Sequence, residues 1–185
     1  MMRELLRGIF YMLLGALGGY LSATAAIGSF GASLAAAGSQ WQHWDISLAA
    51  PAHPYAVAHY LLAGRFPPPS GQIVEFTADR DSDGNPIDGD CVYTVTGKPV
   101  ASRWWSIAIP QSGSDTNPVI TAEAAVLDAN GLLTVTMSRY PVPGNWLKPA
   151  TGSNYSLIYA VSASEAASEA SAGGPPPFTV KQTEC

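Results

Sequence analysis

Four aspartates and a glycine in one short stretch give the sharpest chemical signal in this sequence. Asp79, Asp81, Asp83, Gly84 and Asp90 match the spacing of a calcium loop, with Asp where the last position prefers Glu. Carboxylates at alternate positions can wrap one hard cation, and glycine permits the sharp turn between them. Two features weigh against a bound Ca2+. The flanks read as strands rather than helices, and Pro86 and Ile87 do not place the usual hydrophobic residue at the eighth loop position. The same residues suit a β-hairpin turn built on Asp-Gly and Asn-Pro chemistry. Beyond this one cation, no cofactor is expected.

The other reactive residues are sparse. His43, His53 and His59 are spaced ten and six apart, which does not place them on one helical face as metal ligands. Cys91 and Cys185 are the only cysteines. Outside the cytoplasm two thiols in one domain usually pair, and here a disulfide would pin the last strand to the sheet. Two free thiols or an intermolecular bridge are the alternatives. Arg103 before Trp104-Trp105 is a candidate ligand platform, through stacking or cation–π contact of Arg103 and Trp104. In a strand the two tryptophans point to opposite faces, so one core Trp and one covered Trp is the structural reading of the same residues. No nucleophile elbow, recognisable triad or phosphate-cradling loop is present. Paired carboxylates for acid–base work cannot be picked out from sequence.

These residues must be held by short strands. Ile73 to Ala78, Cys91 to Thr96, Arg103 to Ile109, Val119 to Val126, Leu132 to Ser138, Tyr155 to Val161 and Phe178 to Gln182 are β-prone runs, most of them separated by Gly, Pro, Asn or Asp. Leu133, Val135 and Met137 alternate with Thr134, Thr136 and Ser138, and Trp105, Ile107 and Ile109 share a face. Several short alternating strands with turn signals predict a β-sandwich or barrel. Pro54 to Ala63 predicts a short helix with Val57, Tyr60 and Leu61 on one face and Gly64 as its stop. Ala160 to Pro177 is almost all Ala, Ser, Glu, Gly and Pro, and reads as a solvated loop with little core, with room for a helical turn around Ala166. Asn145-Trp146 reads as a turn plus a core anchor. Trp41 and Trp44 read either as interfacial anchors or, preferred, as the start of the folded domain.

The first forty residues are different in kind. Leu5 to Ile27 is apolar, and past Arg7 it is one uncharged run. At 1.5 Å per residue, roughly 20 such residues cross a ~30 Å hydrocarbon core. Arg3 and Arg7 precede the run and no further Lys or Arg follows until Arg65. The positive-inside rule then places Met1 in the cytoplasm and the remainder in the periplasm of a Gram-negative cell, on a single-pass inner-membrane anchor. Ala35-Ala36-Ala37 would suit a cleaved signal peptide, but the apolar run is longer than a signal core. Residues 1–40 therefore read as transmembrane anchor and stalk, and 41–185 as a periplasmic β-sandwich domain. Gly15, Gly19 and Ala23 recur every fourth residue, as do Gly18, Ser22 and Ala26. Small residues at this spacing let a second helix approach, so an integral membrane partner or a second copy is the expected companion.

Charge excludes one class of partner. The chain is 47% hydrophobic but only 12% charged, and past Gly38 it carries an excess of acidic over basic residues. An acidic surface lacks the clustered cations that nucleic acid requires.

Three groups of residues carry a family resemblance. Pro54-Tyr55-Ala56-Val57-Ala58 is followed by Gly64. Asp81-Ser82-Asp83-Gly84-Asn85-Pro86-Ile87-Asp88-Gly89 is followed by Tyr93, Gly97 and Arg103-Trp104-Trp105-Ser106. Asp128-Ala129-Asn130-Gly131 is followed by Pro143-Gly144-Asn145-Trp146-Leu147. Over roughly Pro51 to Tyr159 the chain resembles the domain of unknown function 1214 family in its short, membrane-anchored bacterial form. The resemblance implies a mainly β, jelly-roll-like sandwich behind one N-terminal transmembrane helix, and no established activity. Family members tend to carry an Arg in the strand after Asn-Trp-Leu. Here that strand reads Leu157-Ile158-Tyr159-Ala160-Val161.

Three functions fit. The first is a non-catalytic, membrane-tethered binding or assembly module. The second is an accessory subunit of a larger inner-membrane, energy-transducing complex. The third is an enzyme on a small periplasmic lipid or carbohydrate. The absence of a catalytic set puts the enzyme last.

Overall fold

The computed structural model describes residues 2–29, 32–34, 40–44, 54–69, 71–111, 117–149, 152, 154–171 and 178–185. Contacts divide the chain into two compact units, Met1–Ala32 with Asp45–Pro67, and Ser33–Trp44 with Pro68–Cys185.

The first unit holds helices α1 (Met2–Ser29) and α2 (Pro54–Leu62), which touch one another. No residue of α1 is buried. Its hydroxyls bond back to the helix itself: Ser22 Oγ donates to Gly19 O, Thr24 Oγ1 to Tyr20 O and Ser29 Oγ to Ala25 O. These three hydroxyls are thus satisfied without water, as an apolar medium demands. By length and composition α1 can cross a membrane, a property that anchors and signal sequences share. Helix α2 starts at a proline and ends in a Schellman cap. Arg65 N donates to Tyr60 O at 2.9 Å and Gly64 N to Leu61 O at 3.0 Å, with Gly64 at φ +69°. Ala56 and Tyr60 are buried, Val57 is half-buried and Leu61 is exposed.

The second unit is mainly β, with two sheets. Its strands are β1 (Ala32–Leu34), β2 (Trp41–Trp44), β3 (Ile73–Ala78), β4 (Val92–Gly97), β5 (Trp105–Ala108), β6 (Val119–Thr121), β7 (Leu133–Met137), β8 (Asn145–Leu147), β9 (Leu157–Ser162) and β10 (Thr179–Glu184). One sheet runs β1-β2-β3-β9-β5-β6 and the other β10-β4-β7-β8. Alternation decides what lies between them. Phe76 and Ala78 from β3, Val95 from β4, and Leu133, Val135 and Met137 from β7 are wholly buried in one cluster. Burying each such side chain stabilises by roughly 1.5–3 kcal/mol. Successive strands β3 and β4 lie in different sheets, so residues 79–91 carry the chain across the core, and Ile87 fills it on the way.

Trp41 and Trp44 form strand β2 and are both buried, in keeping with the preferred reading that they begin the folded domain. Other elements differ from expectation. Asn145-Trp146-Leu147 is not a turn but a strand, parallel to β7. Parallel neighbours normally need a long crossover. Here residues 138–144 suffice, because β8 is three residues long and pairs only to the end of β7. The segment read as a solvated loop also contributes to the core. Helix α3 (Glu165–Ser171) places Ala167 and Ala170 in the central cluster. A spacing of three puts both on one helical face, and their small size lets the helix lie close.

Candidate functional site

The acidic loop is built as a turn. Asp81 is buried, and its Oδ1 accepts from Asp83 N at 3.0 Å and Asn85 N at 2.8 Å. Asp81 N donates to Asn85 O, and Gly84 N to Asp81 O, with Gly84 at φ +89°. That left-handed residue is why glycine is required there. The same turn recurs at Asp128. Its Oδ1 accepts from Asn130 N and Leu132 N, Asp128 N donates to Leu132 O, and Gly131 N donates to Asp128 O at φ +74°. One local geometry therefore serves both Asp-Ser-Asp-Gly-Asn and Asp-Ala-Asn-Gly-Leu. The second lacks the extra acid that suggested calcium in the first.

The four candidate cation ligands have separate surroundings. Asp81 is committed to amides. Asp90 pairs with Arg139 and also accepts from Gly152 N. Asp79 and Asp83 are exposed. Among the described residues, no group of three His, Cys, Asp or Glu side chains is placed to hold a metal ion. Asp88 caps the loop's exit, with Oδ1 accepting from Asp90 N, while its own N donates to the Tyr93 hydroxyl at 3.0 Å.

Ser82 ties this loop to the far end of the chain. Ser82 N donates to Val180 O at 2.8 Å, and Val180 N donates to Ser82 Oγ at 3.1 Å. One serine thus makes both backbone bonds that a further strand would make to β10. Beside it, Trp41 Nε1 donates to Phe178 O at 2.6 Å. Asn145 does the same at the opposite edge. Its Oδ1 accepts from Val126 N and its Nδ2 donates to Val126 O, both at 2.7 Å, and Nδ2 also donates to Thr134 O. Ser82 and Asn145 thus each offer one residue, Val180 or Val126, the pair of bonds that a neighbouring strand would make. Reasoning from sequence missed both roles, because short polar residues beside turns look alike whether or not they cap a strand.

Cys91 and Cys185 form a disulfide, with Cα atoms 4.2 Å apart. Cys91 is buried and Cys185 exposed. Trp105 is the core tryptophan, whereas Trp104 is exposed. Arg103 is exposed beside Trp104, and the Oγ of Ser162 accepts from both their backbone amides. The platform pair is thus adjacent and open, with no concave wall among the contacts described. His43 packs against Phe76 and its Nδ1 meets Glu75 O, while His59 stands on α2 and His53 lies outside the described residues. Burial, with help from Arg65, holds the His59 imidazolium below its usual range. Gly15, Gly19 and Ala23 lie along exposed α1, and a Cβ added at either glycine would meet nothing.

Burial also shapes the two core tyrosines. It pushes the Tyr159 phenol up to about 12, opposed by the amide of Val100 that donates to its oxygen. It pushes Tyr155 higher still, reinforced by Tyr93 and Asp88. These hydroxyls are neutral fixtures of the core at ordinary pH.

A two-sheet β domain and an apolar helix define the class of this chain by its fold. The chain belongs to the family described as protein of unknown function, DUF1214, whose model matches residues 72–165. No curated protein matches it. Among solved structures, the VPA0106 protein from Vibrio parahaemolyticus is similar over 92% of this chain and 44% of its own, at 16% identity and a TM-score of 0.58. An uncharacterized protein from Burkholderia cenocepacia is 18% identical over 60% of this chain and 29% of its own, with a TM-score of 0.44. This chain therefore spans less than half the length of either.

Proposed function

We propose that this chain is a non-catalytic binding or assembly module, held by α1 in the inner membrane with its β unit on the periplasmic side. The observation that carries the reading is α1 itself: 28 residues without one buried side chain, uncharged past Arg7, with Ser22, Thr24 and Ser29 bonded back to the helix. Such a surface is costly in water and favourable in lipid. Arg3 and Arg7 before the apolar run favour a cytoplasmic N-terminus. The companion expected is a second copy or an integral membrane protein at the Gly15, Gly19 and Ala23 face. Among the described residues nothing requires those glycines to be small, which favours a requirement outside the chain.

A more specific reading is an accessory subunit of a larger inner-membrane complex. One observation favours it. Val119, Val126, Leu127, Leu132, Tyr140 and Val142 are all exposed, and all fall between the start of β6 and β8. Joined in one patch, they would mark a surface that another protein covers. The test is extraction followed by sizing. Alkaline carbonate should leave the full chain in the membrane pellet, and mild detergent should release it as a particle larger than one copy. Release by carbonate would refute the anchor, and a strict monomer in detergent would refute the assembly role.

A further inference from the structure

We propose that Cys185 is a thiol-exchange site: an incoming thiolate attacks its sulfur and displaces Cys91, leaving the β domain folded. Exposure separates the two sulfur-bearing residues. Cys91 belongs to the buried central cluster, while Cys185 is exposed together with residues 181–184. A nucleophile in solution therefore meets Cys185 first, and access is one determinant of which sulfur is attacked.

Strand β10 has anchors besides the bond. Strand β10 is held upstream by Val180, buried opposite Val95, and by the Ser82 pairing on its other border. Phe178 is buried edge-on to Tyr159 with ring centroids 4.9 Å apart, and its carbonyl receives Trp41 Nε1. Past Gln182 the register with β4 shifts, so the segment carrying Cys185 continues beyond a break in the ladder. Opening the disulfide frees that short segment and leaves the anchors upstream in place.

The exchange balances without an added oxidant. A thiolate RS⁻ forms a bond to the Cys185 sulfur as the Cys91–Cys185 bond breaks. Cys91 leaves as a thiolate and takes a proton from solvent. The product is Cys185–SR with Cys91 as a free thiol. Attack by Cys91 on that mixed disulfide restores the clasp and releases RS⁻, so the site cycles. A second thiol of a dithiol reagent instead resolves the adduct to two free thiols.

The probe is reduced glutathione, applied to the full chain in detergent, with acid trapping and peptide mass spectrometry. Adducts on Cys185 should exceed those on Cys91 by about tenfold or more. The protein should keep its near-ultraviolet circular dichroism and a cooperative thermal transition after full reduction by dithiothreitol. Equal labelling, preferential labelling of Cys91, or loss of the cooperative transition on reduction would overturn the assignment. So would a bond that resists dithiothreitol in the folded protein. Cys91→Ser, which leaves Cys185 as a free thiol, should take glutathione from oxidised glutathione while folded, and failure to do so contradicts an accessible Cys185.

Discussion

The side-chain amide of Asn145 reproduces, toward Val126, both hydrogen bonds of a neighbouring strand. Oδ1 accepts from Val126 N and Nδ2 donates to Val126 O, each at 2.7 Å. A residue with one acceptor and one donor group in this geometry can only be Asn or a longer homologue. Asn145→Ala should destabilise the chain by about 1–3 kcal/mol, because Val126 and Thr134 lose their partners. Asn145→Asp should be worse than Ala, since a carboxylate would face the carbonyls of Val126 and Thr134. Urea unfolding of the two variants checks the order.

Removing the Asp81 side chain should cost about 1–3 kcal/mol, since its buried oxygen satisfies two amides. Asp81→Asn keeps that acceptor and should lose less. Thermal unfolding in excess Ca2+ and in chelator should coincide, because the amides already order the loop. A transition raised by Ca2+ in the wild type, and not in Asp81→Asn, would instead assign a cation to these carboxylates.

Asp128 predicts an acid-side effect. The amide of Leu132 holds its carboxyl below the usual range, with Asn130 adding to it and desolvation opposing it. A group with a lowered folded pKa contributes stability above its unfolded pKa and loses it as pH falls through the folded one. Asp128→Ala should therefore be less stable than wild type at neutral pH, and the gap should close below pH 3.8. A gap that persists unchanged into acid would show that charge is not involved.

Tyr159 predicts an alkaline effect of opposite sign. Its folded pKa is raised from 10.0 to about 12, so its contribution is complete below pH 10.0 and is lost as pH rises toward about 12. Phenolate absorbance of Tyr159 in the folded chain should appear only as pH rises toward about 12. Comparison with Tyr159→Phe isolates the signal. The same variant orphans Val100 N and should cost about 1 kcal/mol.

Much of the β unit was legible because burial imposes period two. Ile73 to Ala78 matches β3 residue for residue, and Leu133, Val135 and Met137 are all interior. What escaped was whatever depends on distant partners. Strand β8 is three residues long and exists through Asn145 and its register with β7, so its own sequence carries no period. Helix α3 is rich in Ala, Ser and Glu, which resembles a solvated linker until Ala167 and Ala170 meet the core. The division of β3 and β4 between two sheets was hidden by a loop whose Asp-Gly turn resembles a simple hairpin. For the candidate site, residue types alone could not separate a cation loop from a turn, since Asp81 and Asp128 use the same atoms for the same amides. The pairing of Cys91 with Cys185 was one of the options left open, and the structure forms it.

Helix packing is tested apart from folding. Gly15→Leu with Gly19→Leu fills the small-residue face without touching any residue of the chain near those glycines. The double variant should lose association in detergent while the β unit keeps its thermal transition. Unchanged particle size would place the contact elsewhere.

The most direct measurement is protease protection in spheroplasts, read with one tag before Arg3 and another after Cys185. External protease should remove the C-terminal tag and leave the N-terminal tag intact until detergent is added. Digestion of both tags from outside, or protection of both, would contradict a helix that carries the β unit across the membrane.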